Sequence, residues 1–217
     1  MTDGHDLVLK LLNKVSFSRE NGDHLILTGD IINKGPDTGG VVDLARELQA
    51  SCVRGNHEDR ILLQRRDVER REKASLKDQA GTNELDDEFF SAKELAEHEL
   101  ALSLSEEQVQ WLNACPVILD VGQIPGMGHV VVVHGGLVPG VELEKQDPSS
   151  VMTMRTIDAD THVPSSSNEG LKWAKVSCLI EPVSDGSSLT PSRCSTSTNP
   201  FYTQVSHLHP RTRGPKL

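Results

Sequence analysis

The chain has few aromatic residues and no excess of positive charge. Aromatic side chains make up 3% of its 217 residues, which leaves few rings on which unpaired bases could stack. Its formal net charge is −10, which argues against holding duplex nucleic acid or an anionic lipid surface by bulk electrostatics. We therefore expect no nucleic-acid partner, and a polyanionic substrate would have to be bound locally, by a metal ion or a few placed cations.

Long apolar runs and close cysteine pairs are also absent. No stretch reaches the roughly 18 apolar residues of a membrane-spanning helix, and the first residues lack the basic and apolar regions of a signal peptide. The four cysteines, Cys52, Cys115, Cys178 and Cys194, show no C-x-x-C spacing, so we expect reduced thiols. These absences predict a cytoplasmic protein with no membrane segment. A vacuolar location is the alternative, if an N-terminal segment is missing from this sequence.

The body of the chain shows alternating helix and strand patterns. A helix with regularly spaced leucines precedes the apolar run HLILTGD (24–30). A second helix, with Thr38 as a candidate N-cap, precedes the run SCVRGNH (51–57). Two later strand-like runs, at 117–121 and 130–133, are expected to pair. The αβαβ order predicts an α/β fold with a mostly parallel or mixed sheet covered by helices.

Two segments differ from the rest of the chain. Half of the residues at 64–99 are charged and no apolar stripe runs through them, which indicates a solvated helical excursion or a flexible insertion where no chemistry is expected. Residues 177–217 are rich in Ser, Thr and Pro and carry a net charge of +2, which leaves −12 on residues 1–176. We expect one domain at 6–176 followed by a disordered tail.

Three strand-like runs end in residues that can bind a metal ion. LTGD ends in Asp30, VRGNHE contains Asn56, His57 and Glu58, and VVVHGGL contains His134. Loops that leave neighbouring strands converge at one edge of an open α/β sheet, where ligands commonly bind. A carboxylate, an amide oxygen and an imidazole together suit Mn, Fe or Zn.

These runs carry a family resemblance. GDIINKGPDT, CVRGNHEDRILL and VVVHGGLVPGV resemble the successive motifs of calcineurin-like metallophosphoesterases of the phosphoprotein-phosphatase superfamily. They are most similar to the branch that includes diadenosine tetraphosphatases and fungal endopolyphosphatases, over about residues 6–176. The resemblance implies a mixed β-sandwich flanked by helices, with two divalent metal ions, Mn, Fe or Zn, at the carboxyl ends of the strands.

The resemblance also implies roles for individual residues. Asp30 matches the carboxylate that bridges both metal ions, whereas Asn56 and His134 match ligands of the second ion. His57 matches the general acid that protonates the leaving oxygen, a role suited to a group with a pKa near neutrality. Glu58 is expected to orient its neighbours rather than to bind metal.

Phosphate must be neutralised as well as bound. Lys34 and Arg155 are the candidate substrate-binding cations. The protein-phosphatase branch has an Asp that pairs with the acid histidine, but Asn33 occupies that place here and cannot supply a carboxylate. This difference disfavours a protein Ser/Thr phosphatase.

The first and last metal-binding motifs of the family are not recognisable. Asp3 and His5 have the right spacing but no strand before them, and His209 has no strand or Gly before it. We therefore expect a fold that is incomplete at both ends and a chain that binds one metal ion or none.

The sequence predicts a metal-dependent phosphoesterase that hydrolyses phosphoanhydride or phosphomonoester bonds by a metal-activated water. The expected substrates are a phosphorylated small molecule such as a dinucleoside polyphosphate, polyphosphate itself, or a phosphoprotein. The alternatives are a protein Ser/Thr phosphatase and a catalytically dead binding module with the phosphatase fold.

Overall fold

A computed structural model describes residues 4–33, 35, 37–77 and 91–174. The tail predicted at 177–217, the candidate cation Lys34 and the candidate ligands Asp3 and His209 lie outside these residues. The described chain is of the mixed α/β class, with helices and three two-stranded sheets, so the predicted fold class is confirmed.

The chain divides into two compact units. The first comprises the described residues up to Ser51 together with Asn56–Cys115, and the second comprises Cys52–Gly55 together with the described residues from Pro116 onward.

The first unit is mainly helical. Its helices are α1 (Gly4–Lys14), α2 (Thr38–Glu47), α3 (Asn56–Lys77), α4 (Ala92–Ser103) and α5 (Glu106–Ala114), with a short 3-10 helix at Arg19–Asn21. Strand β1 (Ile26–Leu27) pairs with β2 (Ser51–Cys52), whose first residue belongs to this unit, and the Ser51 amide donates to the Leu25 carbonyl over 3.0 Å. The strands are shorter than their apolar runs because the polar ends of both runs turn into loops.

Side-chain caps set where the helices begin. The predicted N-cap Thr38 is wrong: Asp37 caps α2, since its carboxylate accepts from the Gly40 amide over 2.9 Å and Thr38 is the first helical residue. The S-x-x-Q spacing of Ser105 and Gln108 predicts a capping box at α5, and the structure contains it. Each cap satisfies amides that the first helical turn leaves unpaired.

A hydrophobic core joins these helices to the loop after β1. Its fully or nearly buried members come from that loop and from α2, α3, α4, the residue after α4, and α5; they are Ile32, Val42, Ile61, Leu62, Ala101, Leu104, Val109 and Leu112. Burial of this apolar surface is the main force that holds the loop against the first turns of α3. The loop and those turns carry the candidate site residues.

The second unit contains a hairpin and two short strands. Strand β3 (Ile118–Ile124) pairs antiparallel with β4 (Gly128–Val133), as expected for the runs at 117–121 and 130–133, with a register shift between Asp120 and Gly122. Helix α6 (Pro148–Thr153) follows a short 3-10 helix at Leu143–Lys145, and β5 (Thr156–Ile157) pairs with β6 (Pro164–Ser165). A small cluster of Met154, Ile157 and Trp173 forms the core beside them.

Two observations bear on the chemistry expected from the sequence. Cys52 and Cys115 are buried, and their thiols donate to the carbonyls of Val53 and Trp111 over 3.2 and 3.4 Å. Within the described ranges, no helix combines the length and apolar character needed to cross a membrane.

Candidate functional site

Asp30 follows β1 in a backbone conformation that few L-residues adopt. Its φ is 54°, next to Gly29 at 85°, and Asn33 lies at 70° in the same loop. Non-glycine residues at positive φ are uncommon and are retained where the surrounding structure holds them. The loop therefore turns sharply at the residue that the sequence singles out as a metal ligand.

One buried carboxylate holds this loop in place. Glu58, in the first turn of α3, is fully buried, and its two oxygens accept hydrogen bonds from the amides of Asp30 and Ile31, each over 2.8 Å. A third amide, that of Ile32, lies 3.3 Å from the same carboxylate. Charge-assisted bonds of this kind are stronger than neutral ones, and the helix N-terminus favours the negative charge. Glu58 thus orients the Asp30 loop, as the sequence analysis expects.

Asp30 and His57 lie side by side. The His57 amide donates to Asp30 Oδ1 over 3.3 Å, and His57 Nε2 lies 3.6 Å from Asp30 Oδ2. The Asp30 side chain is 11% exposed and the His57 side chain is 16% exposed, so most of each is shielded from water. Asn56, the first residue of α3, is half-buried beside His57. The structure therefore brings together Asp30, the candidate metal ligand of one motif, and His57, the candidate general acid of another.

A second layer of contacts reaches His57 through Asn33. Asn33 Nδ2 lies 3.2 Å from His57 Nδ1 and also donates to Glu97 Oε1 over 3.2 Å. The Glu97 side chain is 3% exposed, and Arg60 Nη1 donates to it over 2.8 Å. Glu97 therefore accepts hydrogen bonds from both Asn33 and Arg60 and is shielded from water.

Sequence reasoning missed Glu97, because it assigned no chemistry to residues 64–99. Helix α4 begins within this segment and packs against the core through Ala101, two residues beyond it. Glu97 precedes Ala101 by four residues and Leu104 by seven, a spacing that places all three on one helix face. A charged residue on the apolar face of a short helix was the available signal.

A polar groove opens beside Asn33. It has a volume of ≈ 340 Å³, within the size range of small-molecule sites. Its lining comes from the loop after β1, the start of α2 and the end of α4: Asn33, Gly35, Asp37, Thr38, Gly39, Leu100 and Ser103. Asn33 therefore both lines this groove and contacts His57.

His134 belongs to the second unit, directly after β4. It is half-buried, and the two glycines after it donate their amides to the Val151 carbonyl, over 2.8 Å from Gly135 and 3.1 Å from Gly136. A Cβ on Gly135 would lie 2.5 Å from the Val151 oxygen, and one on Gly136 would lie 2.7 Å from Trp173 Cδ2. The H-G-G motif therefore needs glycines because α6 and Trp173 approach its backbone closely.

The other candidates have less distinctive surroundings. Arg155, on the second unit, is exposed, and its backbone amide donates to the Ser165 carbonyl. His5 lies in the first turn of α1, with its ring 3.9 Å from the Asp6 carboxylate, rather than after a strand.

The side chains at this site include oxygen ligands of the type that bind divalent metal ions. In the first unit, Asp30 and Asn56 offer a carboxylate and an amide oxygen, which are hard ligands for a divalent cation. Glu58 is already engaged by three amides, which agrees with a supporting role. Among the described residues, no group of three or more His, Cys, Asp or Glu side chains forms a ready metal site. Asp30 and Asn56 alone make an incomplete ligand set.

The family model of calcineurin-like phosphoesterases matches residues 1–185. The chain belongs to the calcineurin-like phosphoesterase family. This result confirms the resemblance seen in the three motifs, and members of the family use divalent metal ions. No curated protein sequence matches this calcineurin-like phosphoesterase chain.

A solved structure gives a more specific comparison. The crystal structure of a candidate diadenosine tetraphosphatase matches this family member with a TM-score of 0.58 and 28% sequence identity. The match covers 77% of this chain and 63% of the other, so the calcineurin-like chain spans less than two thirds of that protein's length.

Proposed function

We propose that this chain is a metal-dependent phosphoesterase that hydrolyses phosphoanhydride or phosphomonoester bonds. The observation that carries the proposal is the contact between Asp30 and His57, which joins two motifs within one shielded site. The family match and the buried Glu58 clamp support it, because an exposed loop would gain nothing from being held in a strained conformation.

Asp30 and Asn56 would hold a divalent metal ion in this proposal. A bound ion neutralises phosphate charge and lowers the pKa of water so that hydroxide forms near neutral pH. His134, on the second unit, is proposed as a further ligand on the strength of its motif. The metal content per chain after reloading decides whether Mn, Fe or Zn binds and whether one or two ions bind.

His57 is the proposed donor to the leaving oxygen. Water attacks phosphorus, forms a new P–O bond and gives one proton to solvent, while the P–O bond to the leaving group breaks with its electron pair on the leaving oxygen, which takes up a proton from solvent. The neutral imidazole donates a hydrogen bond to that oxygen through Nε2, the nitrogen that faces Asp30, and so stabilises the charge that develops there.

The proposed substrate is a dinucleoside polyphosphate or an inorganic polyphosphate. The solved relative's description as a candidate diadenosine tetraphosphatase supports the first, and the polar groove beside Asn33 has room for part of a nucleotide. Because the chain carries a net charge of −10, Lys34 and Arg155 are the proposed local cations for such an anion.

The test is hydrolysis by the full chain after chelation and reloading with Mn²⁺, Fe²⁺ or Zn²⁺. Substrates are p-nitrophenyl phosphate, diadenosine tetraphosphate, polyphosphate and a phosphopeptide. We expect turnover with metal present, and a loss of more than about 100-fold in Asp30→Asn. Asp67→Asn, which removes an exposed charge from α3, is the matched control. Turnover that survives in Asp30→Asn would contradict the proposed site.

A non-catalytic binding module is the second candidate. It is favoured by the lack of a three-residue group of His, Cys, Asp or Glu ligands among the described residues. The same experiment decides between the two: phosphate or nucleotide binding without any turnover in metal-loaded protein supports the binding module.

A further inference from the structure

We propose that Glu97 is a positioning residue that acts through Asn33 to keep the proton of neutral His57 on Nε2. The tautomer follows from contacts within the first unit alone. Its effect on catalysis rests on the proposed function, in which His57 Nε2 donates to the leaving oxygen.

The first step is the orientation of the Asn33 amide. A carboxylate accepts hydrogen bonds and donates none, so the end of the amide that faces Glu97 must be its NH₂ group. Turning the amide over would place its oxygen against the carboxylate, with two acceptors 3.2 Å apart and largely shielded from water. Glu97 therefore fixes which way Asn33 points.

The second step passes this orientation to the imidazole. The same NH₂ group lies 3.2 Å from His57 Nδ1 and has a second hydrogen to give. An NH₂ group cannot accept, so Nδ1 must be the accepting nitrogen, and the single proton of the neutral ring sits on Nε2. Nε2 is the nitrogen that lies 3.6 Å from Asp30 Oδ2, on the side of the proposed metal ligands.

The third step is the role of Glu97 as an acceptor. Arg60 Nη1 donates to Glu97 Oε1 over 2.8 Å, and Lys93 Nζ lies 3.9 Å away. A guanidinium group only donates, so the oxygen that Arg60 shares with Asn33 is an acceptor for both. A carboxylate placed directly next to His57 would present an acceptor to Nδ1. Glu97 acts through Asn33 instead, so that Nδ1 faces a donor, the Asn33 NH₂ group.

Nitrogen NMR of the imidazole rings tests the tautomer without metal or substrate. In the metal-free full chain labelled with ¹⁵N-histidine, at about pH 8.5, roughly two units above the usual histidine pKa, we expect His57 to show an unprotonated Nδ1 and a protonated Nε2. A His57→Asn spectrum assigns the signals. A wild-type ring protonated on Nδ1 would overturn the proposal without any further variant.

Substitutions of Glu97 test its part in this arrangement. We expect Glu97→Leu to give a mixture of tautomers, and Glu97→Gln, which is the milder change if the leucine variant fails to fold, to shift the mixture in the same direction. Glu99→Gln removes an exposed charge from the same helix and should leave the His57 signals unchanged. Wild-type signals in folded Glu97→Gln and Glu97→Leu would show that Glu97 does not set the tautomer.

Kinetics with two leaving groups separates positioning from simple loss of structure. Phenolate is more basic than p-nitrophenolate. The negative charge that develops on its oxygen therefore depends more on a hydrogen-bond donor. We expect Glu97→Gln to lower kcat about 10-fold for phenyl phosphate and about 2-fold for p-nitrophenyl phosphate, with KM unchanged. An equal loss for both substrates would refute the catalytic part. If wild-type protein shows no turnover, the proposed function fails, and the NMR result still decides the tautomer.

Discussion

At the scale of single residues, the site depends on two buried glutamates with different tasks. Glu58 accepts from consecutive backbone amides of the Asp30 loop, whereas Glu97 accepts from the side chains of Asn33, which contacts His57, and Arg60. Neither is placed as a metal ligand or as a group that touches the substrate. Asp30 and His57 are therefore positioned by two carboxylates that take no direct part in the proposed reaction.

Weakening the hydrogen bonds from the Asp30 loop to Glu58 should lower the stability of the protein. Glu58→Gln removes the charge and turns an NH₂ group toward amides that also donate, so a buried donor is left unsatisfied. We expect the free energy of unfolding to fall by about 2 kcal/mol, measured by urea denaturation. Asp67→Asn, on the exposed surface of the same helix, should change it by less than about 0.5 kcal/mol. Equal stabilities of Glu58→Gln and wild type would show that the clamp carries no net energy.

A close approach of backbone to Trp173 gives a second residue-scale prediction. A Cβ at residue 136 would lie 2.7 Å from Trp173 Cδ2, so Gly136→Ala must displace the indole or the H-G-G turn. We expect a loss of about 1–3 kcal/mol in the free energy of unfolding and a changed tryptophan emission. Gly35→Ala is the control, because a Cβ there meets no atom within 4 Å. Unchanged stability and emission in Gly136→Ala would contradict the packing.

At the scale of elements, the sequence predicts local features well and long-range contacts poorly. The capping box at α5 and the β3–β4 pair follow from neighbouring residues, and the structure contains both. The contact from Asn33 to Glu97 joins residues 64 positions apart, and it depends on how α4 packs against the core rather than on any local pattern. The strands β1 and β2 are also shorter than the runs 24–30 and 51–57. The polar residues at the ends of these runs belong to loops whose positions depend on tertiary packing.

The cap of α6 predicts an element-scale dependence on pH. Hydrogen bonds from Ser150, first from its hydroxyl and then from its backbone amide, lower the pKa of Asp147 below its ordinary value of 3.8. The folded state therefore gains stability from the ionised carboxylate above the unfolded-state pKa, and this gain is lost as the pH falls through the lower folded-state pKa.

The measurement is chemical denaturation at several pH values from neutral to below pH 3.8. We expect stability to fall less steeply with acidification in Asp147→Asn than in wild type, since asparagine can cap the helix but does not titrate. Parallel pH profiles for the two proteins would exclude a contribution from this cap.

At the scale of the whole molecule, an acidic chain is expected to act on an anionic substrate. Members of the calcineurin-like phosphoesterase family use divalent metal ions, and such ions allow an acidic chain to bind an anion. The charge of −10 means that the substrate is repelled unless cations are placed locally. The motifs that resemble the family were readable in the sequence, but the division of the chain into two compact units was not, because no local pattern fixes it.

Metal binding should therefore be visible as added stability of the full chain. A ligand that binds only the folded state raises stability by about 2.7 kcal/mol at 100 times its Kd. We expect Mn²⁺, Fe²⁺ or Zn²⁺ to raise the Tm of wild type, and Asp30→Asn and His134→Ala to reduce both the shift and the metal content per chain. Asp67→Asn should respond as wild type does. An undiminished shift in His134→Ala would remove that residue from the proposed ligand set.

The Glu58 clamp also makes the site observable during unfolding. Its carboxylate belongs to the helix that begins at Asn56, yet it binds the amides of Asp30, Ile31 and Ile32. The hydrogens on these amides can exchange with solvent only after that carboxylate moves away. Their exchange rates therefore report directly on whether the two motifs separate, and the three amides should lose protection together rather than one by one.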